Sequence, residues 1–235
     1  MKIHRDISQG SLEWMLLRSG KVTASEMDAL ISPLGKIRDG DGVETYLCQK
    51  LVELWTGGPL PQLQGIFDVE QGQLLEERAR PAFTIHTGLE VTTAAFIETD
   101  DGRAGCSPDA MVGETAGVEI KCPTMPKHVA YLRAGRLPKD YVAQVQGSLF
   151  VTGFTTWHFF SYNRAFPPLH LVIERDEKFQ TALEVAVEDF IGALEFGMNR
   201  LEELNGGPPR RSPVALHPVR KDPTLMDGIP FTPGN

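Results

Sequence analysis

The stretch Gly105–Pro123, GCSPDAMVGETAGVEIKCP, decides how this chain is read. Val118, Ile120 and Cys122 alternate with Glu119 and Lys121, the period-2 pattern of a strand with one apolar and one charged face. Asp109 lies ten positions before Glu119, across the turn-forming segment Gly113–Gly117. A hairpin of Ala110–Val112 against Val118–Lys121 brings Asp109 close to Glu119 and Lys121 at one end of a sheet. Two converging carboxylates offer hard oxygen ligands to Mg²⁺, an ion that keeps part of its water and bridges to substrate phosphates. A lysine beside them can orient an attacking water or stabilise developing negative charge. The same residues also fit a plain, ion-paired sheet face, and the spacing alone leaves both readings open.

Outward from this hairpin, Leu89–Glu98 reads as the first strand, with Gly102–Val112 and Gly117–Lys121 as the next two. Thr155–Tyr162 and Leu169–Glu174 alternate as two further strands about the turn Asn163–Pro168. Helical spacing marks Ser11–Arg18, with Leu12, Met15 and Leu16, and Val43–Trp55, with Tyr46, Leu47, Leu51 and Leu54 inward. Val69–His86, Pro126–Ala134 and Lys139–Val151 are the next helices, the last carrying Tyr141, Gln144 and Ser148 along one side. A long helix over Asp176–Leu204 has the apolar stripe Leu183, Val187, Phe190, Ile191 and Leu194.

Thr23-Ala-Ser-Glu26 fits a capping box, with Thr23 as N-cap, Glu26 at N3, and Met27, Leu30 and Ile31 following. A helix start presents unpaired N–H groups to an anion. Ser25 adds a hydroxyl there and Arg18 a guanidinium fork. Read from residues alone, Ser25 is equally a first-turn residue and Arg18 a solvated surface charge. Trp14 either stacks on a base or packs beneath the next helix. Glu76, Glu77, Arg78 and Arg80 form a charge run of the kind usually paired on an exposed helix face.

A chain of 235 residues, 41% of them hydrophobic, can bury one substantial core. We expect one domain over 1–204 and an extended tail over 205–235, which holds seven prolines and four glycines without apolar periodicity. The sequence has no run of eighteen apolar residues and no apolar h-region near its N-terminus, which predicts neither a membrane span nor a secretory signal. Three widely spaced cysteines (Cys48, Cys106 and Cys122) match no zinc pattern, and the six histidines show no metal spacing. These features predict a reduced, cytoplasmic protein. A net charge of −8 argues against a general nucleic-acid coat, but not against an enzyme with a locally basic channel.

Five segments, in matching order, resemble one family. SPDA…EIKCP resembles the PD-(D/E)xK nuclease signature as carried by the phage lambda exonuclease family of viral alkaline exonucleases. The W…LR-G…TASE segment, the helix around Glu76, YVAQVQ and IERDEK are similar to the same family, so the resemblance runs from about Gln9 to Leu204.

The resemblance implies an α/β, restriction-endonuclease-like core with a central mixed β-sheet flanked by helices. It implies a metal-dependent 5′→3′ exonuclease that degrades one strand of linear double-stranded DNA to mononucleotides, for phage-type recombination. Asp109, Glu119 and the Ile120 carbonyl would bind metal, with Glu76 as a third carboxylate and Lys121 positioning the water. Two Mg²⁺ ions per site are implied, with Mn²⁺ as the substitute. Arg18, Ser25 and Gln144 would hold the 5′-phosphate, and Ser107, Tyr141 and Trp14 join them on the DNA-binding surface. Family members form ring-shaped homotrimers and work with a single-strand-annealing recombinase in a phage- or prophage-bearing bacterial cell. The competing readings are an endonuclease on the same core and a DNA-binding module without chemistry.

Overall fold

The computed structural model describes residues 1–60 and 78–209. Alternation produces the sheet that carries the central hairpin. Strands β5 (Ala110–Val112), β6 (Ala116–Lys121), β7 (Thr156–Ser161) and β8 (Leu169–Glu174) lie in the order β5-β6-β7-β8. The hairpin is antiparallel, with Ala110 opposite Val118. β6 and β7 run parallel, with Glu119 opposite Phe159, and parallel neighbours need a long crossover. Helices α4 (Met125–Ala134) and α5 (Val142–Thr152) supply it.

A second four-stranded sheet has the order β1-β3-β4-β2, from β1 (Lys2–His4), β2 (Val22–Thr23), β3 (Phe96–Glu98) and β4 (Ala104–Cys106). β1 and β2 are too short to show alternation in the sequence. The strand expected over Leu89–Glu98 contracts to β3, and the one expected over Gly102–Val112 breaks at Ser107-Pro108-Asp109 into β4 and β5. Proline donates no ladder hydrogen bond and restricts the residue before it. That break passes the chain from one sheet to the other.

The remaining helices are α1 (Leu12–Arg18), α2 (Asp41–Thr56), α3 (described over 78–87) and α6 (Glu177–Asn205). Asp176 caps α6 by accepting from the amides of Lys178 and Phe179. All five residues of its expected stripe are buried. The α1 stripe behaves differently: Leu12, Met15 and Leu16 face outward, while Trp14 turns inward and donates to the Ala95 carbonyl at 3.0 Å.

The expected capping box does not form. Ala24–Ala29 is a 3₁₀ helix, and the Thr23 side chain caps no amide but donates to Glu26 Oε2 at 2.7 Å. Met27, Leu30 and Ile31 are nevertheless buried, as their spacing demands. They join the larger core with Met111, Trp157 and the inner faces of α5 and α6. A smaller core packs Ala79 and Phe83 of α3 against Ala110, Val118, Ile120 and Phe160. Both faces of β6 are therefore covered, and Glu119 is buried although it sits on the charged face. Gly117 permits this on one side, because a Cβ there would lie 2.3 Å from the Trp157 ring.

Candidate active site

Ala110 stands opposite Val118 in the hairpin, and Asp109, the residue just before it, is joined to β6 by hydrogen bonds to both Val118 and Ile120. Asp109 is held at three points. Its amide donates to the Val118 carbonyl at 3.0 Å, its Oδ2 accepts from the Ile120 amide at 2.6 Å, and its carbonyl accepts from Arg80 Nε at 2.8 Å. Glu119 is only 2% exposed. Its Oε1 is 2.5 Å from Lys121 Nζ and accepts from Gln144 Nε2 at 2.7 Å. A buried carboxylate without such partners would be costly. Tyr141 closes this side, its ring 5.4 Å from Lys121 Nζ and 5.4 Å from the Phe159 ring. Burial, reinforced by Tyr131, pushes the Tyr141 phenol up to about 12.

A second cluster forms around Arg18, at the C-terminal end of α1. Its Nη1 donates to Ser107 Oγ at 3.0 Å and its Nη2 to Ser25 Oγ at 3.3 Å. The guanidinium lies 4.3 Å from the Trp14 ring centroid, a cation–π contact. Trp14 Nε1 also donates to Ser107 Oγ at 3.0 Å. Burial lowers the Arg18 pKa, against the opposing pull of the Glu26 charge, and a guanidinium remains charged throughout the working range of a protein. Ser107 is two residues from Asp109, so the Ser-Pro-Asp turn couples the cationic cluster to the carboxylates through two peptide bonds. Gln9 steadies that turn by donating to the Pro108 carbonyl at 2.9 Å.

Of the residues expected at the site, Asp109, Glu119, Ile120, Lys121, Gln144 and Tyr141 thus form one cluster, and Trp14, Arg18, Ser25 and Ser107 the adjoining one. Gln144, expected beside the 5′-phosphate, has its amide on Glu119. Glu76 lies outside the described residues, as does the tail from residue 210 onward. Arg80 was read only as part of a surface charge run, and its bond to Asp109 spans 29 positions with no local pattern to reveal it.

The donor set suits a hard divalent cation. Asp109 and Glu119 supply carboxylate oxygens and Ile120 a backbone carbonyl, the ligand types Mg²⁺ takes while retaining waters. Among the described residues no group of three or more His, Cys, Asp or Glu side chains is arranged to hold a metal ion.

The chain is similar to solved nuclease structures. The alkaline exonuclease LHK-Exo from Laribacter hongkongensis is 28% identical, with a TM-score of 0.73 over 83% of this chain and 98% of that one. Its complex with dAMP matches equally well. A phage-related exonuclease from Haemophilus somnus 129PT shares the fold at 15% identity, with a TM-score of 0.58 over 77% of this chain and 96% of that one. No curated protein sequence matches significantly. The fold is therefore the mixed α/β core of PD-(D/E)xK exonucleases. With the YqaJ-like viral recombinase domain model matching residues 13–155, the chain belongs to that family, in line with its resemblance to lambda-type exonucleases.

Proposed function

We propose that the protein is a metal-dependent 5′→3′ exonuclease that degrades one strand of linear duplex DNA from 5′-phosphorylated ends. The observation that carries this reading is the Ser107-Pro108-Asp109 turn, which ties a guanidinium-and-hydroxyl cluster to a buried carboxylate pair. An end-reading enzyme needs such a pairing, because the distance from the terminal phosphate to the scissile one must be fixed. Relatives described as exonucleases support it. So does the dAMP bound by LHK-Exo, since a mononucleotide is the product class of exonucleolysis.

Asp109, Glu119 and the Ile120 carbonyl hold Mg²⁺ in this reading, with Glu76 as the further carboxylate, two ions per site and Mn²⁺ as the substitute. Bound there, the metal supplies Lewis-acid stabilisation of the attacking and leaving oxygens. Lys121 keeps the nucleophilic water oriented and opposes the charge growing on the phosphate. Gln144 fixes the rotamer of Glu119. Arg18 donates through its fork to the terminal 5′-phosphate, assisted by Ser25 and Ser107, while Trp14 holds the guanidinium plane. The acidic overall charge is compatible with DNA binding because Arg18 and Lys121 give positive potential locally. A ring of three subunits, a single-strand-annealing recombinase partner and a cytoplasmic, phage-related setting belong to the same reading. Among the described residues no helix is long and apolar enough to cross a membrane.

The test uses linear duplex DNA labelled on either strand, carrying a 5′-phosphate or a 5′-hydroxyl, with Mg²⁺ or chelator, and a closed circle as control. Metal-dependent loss from phosphorylated 5′ ends, with the circle and the opposite strand spared, is expected. Cutting of the circle would move the protein to the endonucleases. Binding without cutting would leave a DNA-binding module.

A further inference from the structure

Lys50 is 4% exposed, and lysine is almost never so buried without dedicated partners. Its ammonium stands 3.1 Å from Glu26 Oε2 and 3.1 Å from Glu53 Oε2. Each carboxylate reaches one end of the same short segment. Glu53 Oε2 accepts from the amide of Gly20 at 2.8 Å, two residues beyond Arg18. Glu26 Oε2 accepts from the Thr23 hydroxyl at 2.7 Å, and that hydroxyl lies 3.3 Å from Ser25 Oγ. Tyr46, one turn before Lys50 on α2, adds a third hold, because the Thr23 amide donates to its hydroxyl at 3.4 Å. The Tyr46 ring stacks on Phe190 of α6 at 4.8 Å, so the face made by Tyr46, Lys50 and Glu53 is anchored in the main core.

Gly20 turns the chain with φ +75 and leaves no room for a side chain, since a Cβ there would lie 2.4 Å from Leu54 Cδ2. The segment from Arg18 to Ser25 is therefore pulled onto α2 at both ends. It carries the guanidinium and one hydroxyl of the Arg18 cluster, whereas none of the carboxylate cluster rests on it.

We infer that Lys50 is a positioning residue for 5′-phosphate selection, clamping the Arg18–Ser25 segment to α2 through Glu53 and Glu26. The inference rests on the proposed role of the Arg18 cluster. Lys50 touches no DNA; it neutralises two carboxylates whose other bonds fix where Arg18 and Ser25 stand. Glu26 registers this charge: burial pushes its carboxyl up, yet the Lys50 ammonium and the Thr23 hydroxyl bring it below its ordinary value. Without the ammonium the carboxylates repel, the two ends of the segment loosen, and the Arg18 fork loses its register with the terminal phosphate.

The experiment is the kcat/KM ratio for 5′-phosphorylated over 5′-hydroxyl linear duplex, measured with Mg²⁺ on the full chain. Lys50→Met is expected to lower the ratio on the order of tenfold, since ångström-scale misplacement of a positioning group costs up to about a hundredfold. Glu53→Gln, whose amide oxygen still accepts from the Gly20 amide but which carries no charge to balance the ammonium, lowers it by a smaller factor. Lys50→Arg restores part of the loss. A defect that was only structural would lower both substrates alike and leave the ratio where it was. An unchanged ratio in folded Lys50→Met overturns the inference, as does an unchanged ratio in Glu53→Gln where Lys50→Met does not fold. Arg18→Ala, run alongside, separates the failures. If it collapses the ratio while the Lys50 and Glu53 variants do not, the phosphate reading stands and the clamp falls; if it leaves the ratio intact, both fall.

Discussion

Replacing Asp109 by alanine and by asparagine separates its two duties. The Ile120 amide, on a residue with no exposed surface, donates to Asp109 Oδ2 at 2.6 Å. Alanine leaves that donor buried without its acceptor, at a cost of about 1–3 kcal/mol. Asparagine keeps an oxygen in the same place and loses only the charge, so the amide stays bonded, though less strongly than to a carboxylate. Both variants relieve repulsion with Glu119 equally, so that contribution cancels in the comparison. A chain of this size loses about 2–4 °C of Tm per kcal/mol. At a central cost of about 2 kcal/mol, Asp109→Ala should therefore melt about 4–8 °C below Asp109→Asn. The melts belong in chelator, where metal affinity cannot shift the transition. Nuclease activity should fall in both variants, by more than the roughly 10–100-fold typical of losing a group that merely supports a metal ligand. Equal melting temperatures would refute the Ile120 anchor. Full activity in Asp109→Asn would refute ligation by this carboxylate.

Gln144→Ala removes the donor to Glu119 and should raise the Mg²⁺ concentration for half-maximal activity about 10–100-fold; an unchanged Mg²⁺ titration would refute that coupling. Gly117→Ala places a methyl 2.3 Å from the Trp157 ring and should cost about 1–3 kcal/mol by overpacking, read by urea denaturation; a neutral result would show that Trp157 can yield. Burial holds the imidazoles of His158 and His170 below the ordinary histidine value, helped at His170 by the charges of His158 and His86. The unfolded chain then takes up protons first as pH falls, so stability present above about pH 6.5 declines as pH drops through the lowered folded values. Denaturation at about pH 7.5 and about pH 5 should show the decline, and His170→Gln should shrink it; a variant as pH-sensitive as the parent would remove the histidines as its source.

The hairpin was legible because its information is local. The ten-residue spacing from Asp109 to Glu119, with turn formers between, is enough to bring the two carboxylates onto one hairpin. The α6 stripe and the β7–β8 pair were legible for the same reason. Local rules misled where two of them competed. The Leu12, Met15 and Leu16 stripe predicted an inward face, but hydrogen bonds at Trp14 and Arg18 turn the helix the other way. The TASE capping box failed because the Thr23 hydroxyl is committed to the Glu26 carboxylate and the Thr23 amide to the Tyr46 hydroxyl.

By itself, then, the sequence determined the strand and helix periods, the carboxylate hairpin and, through five matched segments, the family. Only the tertiary structure decided that Arg18 meets Ser107 across 89 positions, that Arg80 holds the Asp109 carbonyl, that His158 bonds His170 at 2.9 Å, and that Lys50 ties α2 to the Arg18 segment. Except for the His158–His170 bond within the β7–β8 pair, these contacts join elements distant along the chain. Periodicity reports which face an element buries, but the partner it meets there is set by how the sheets and helices close on one another.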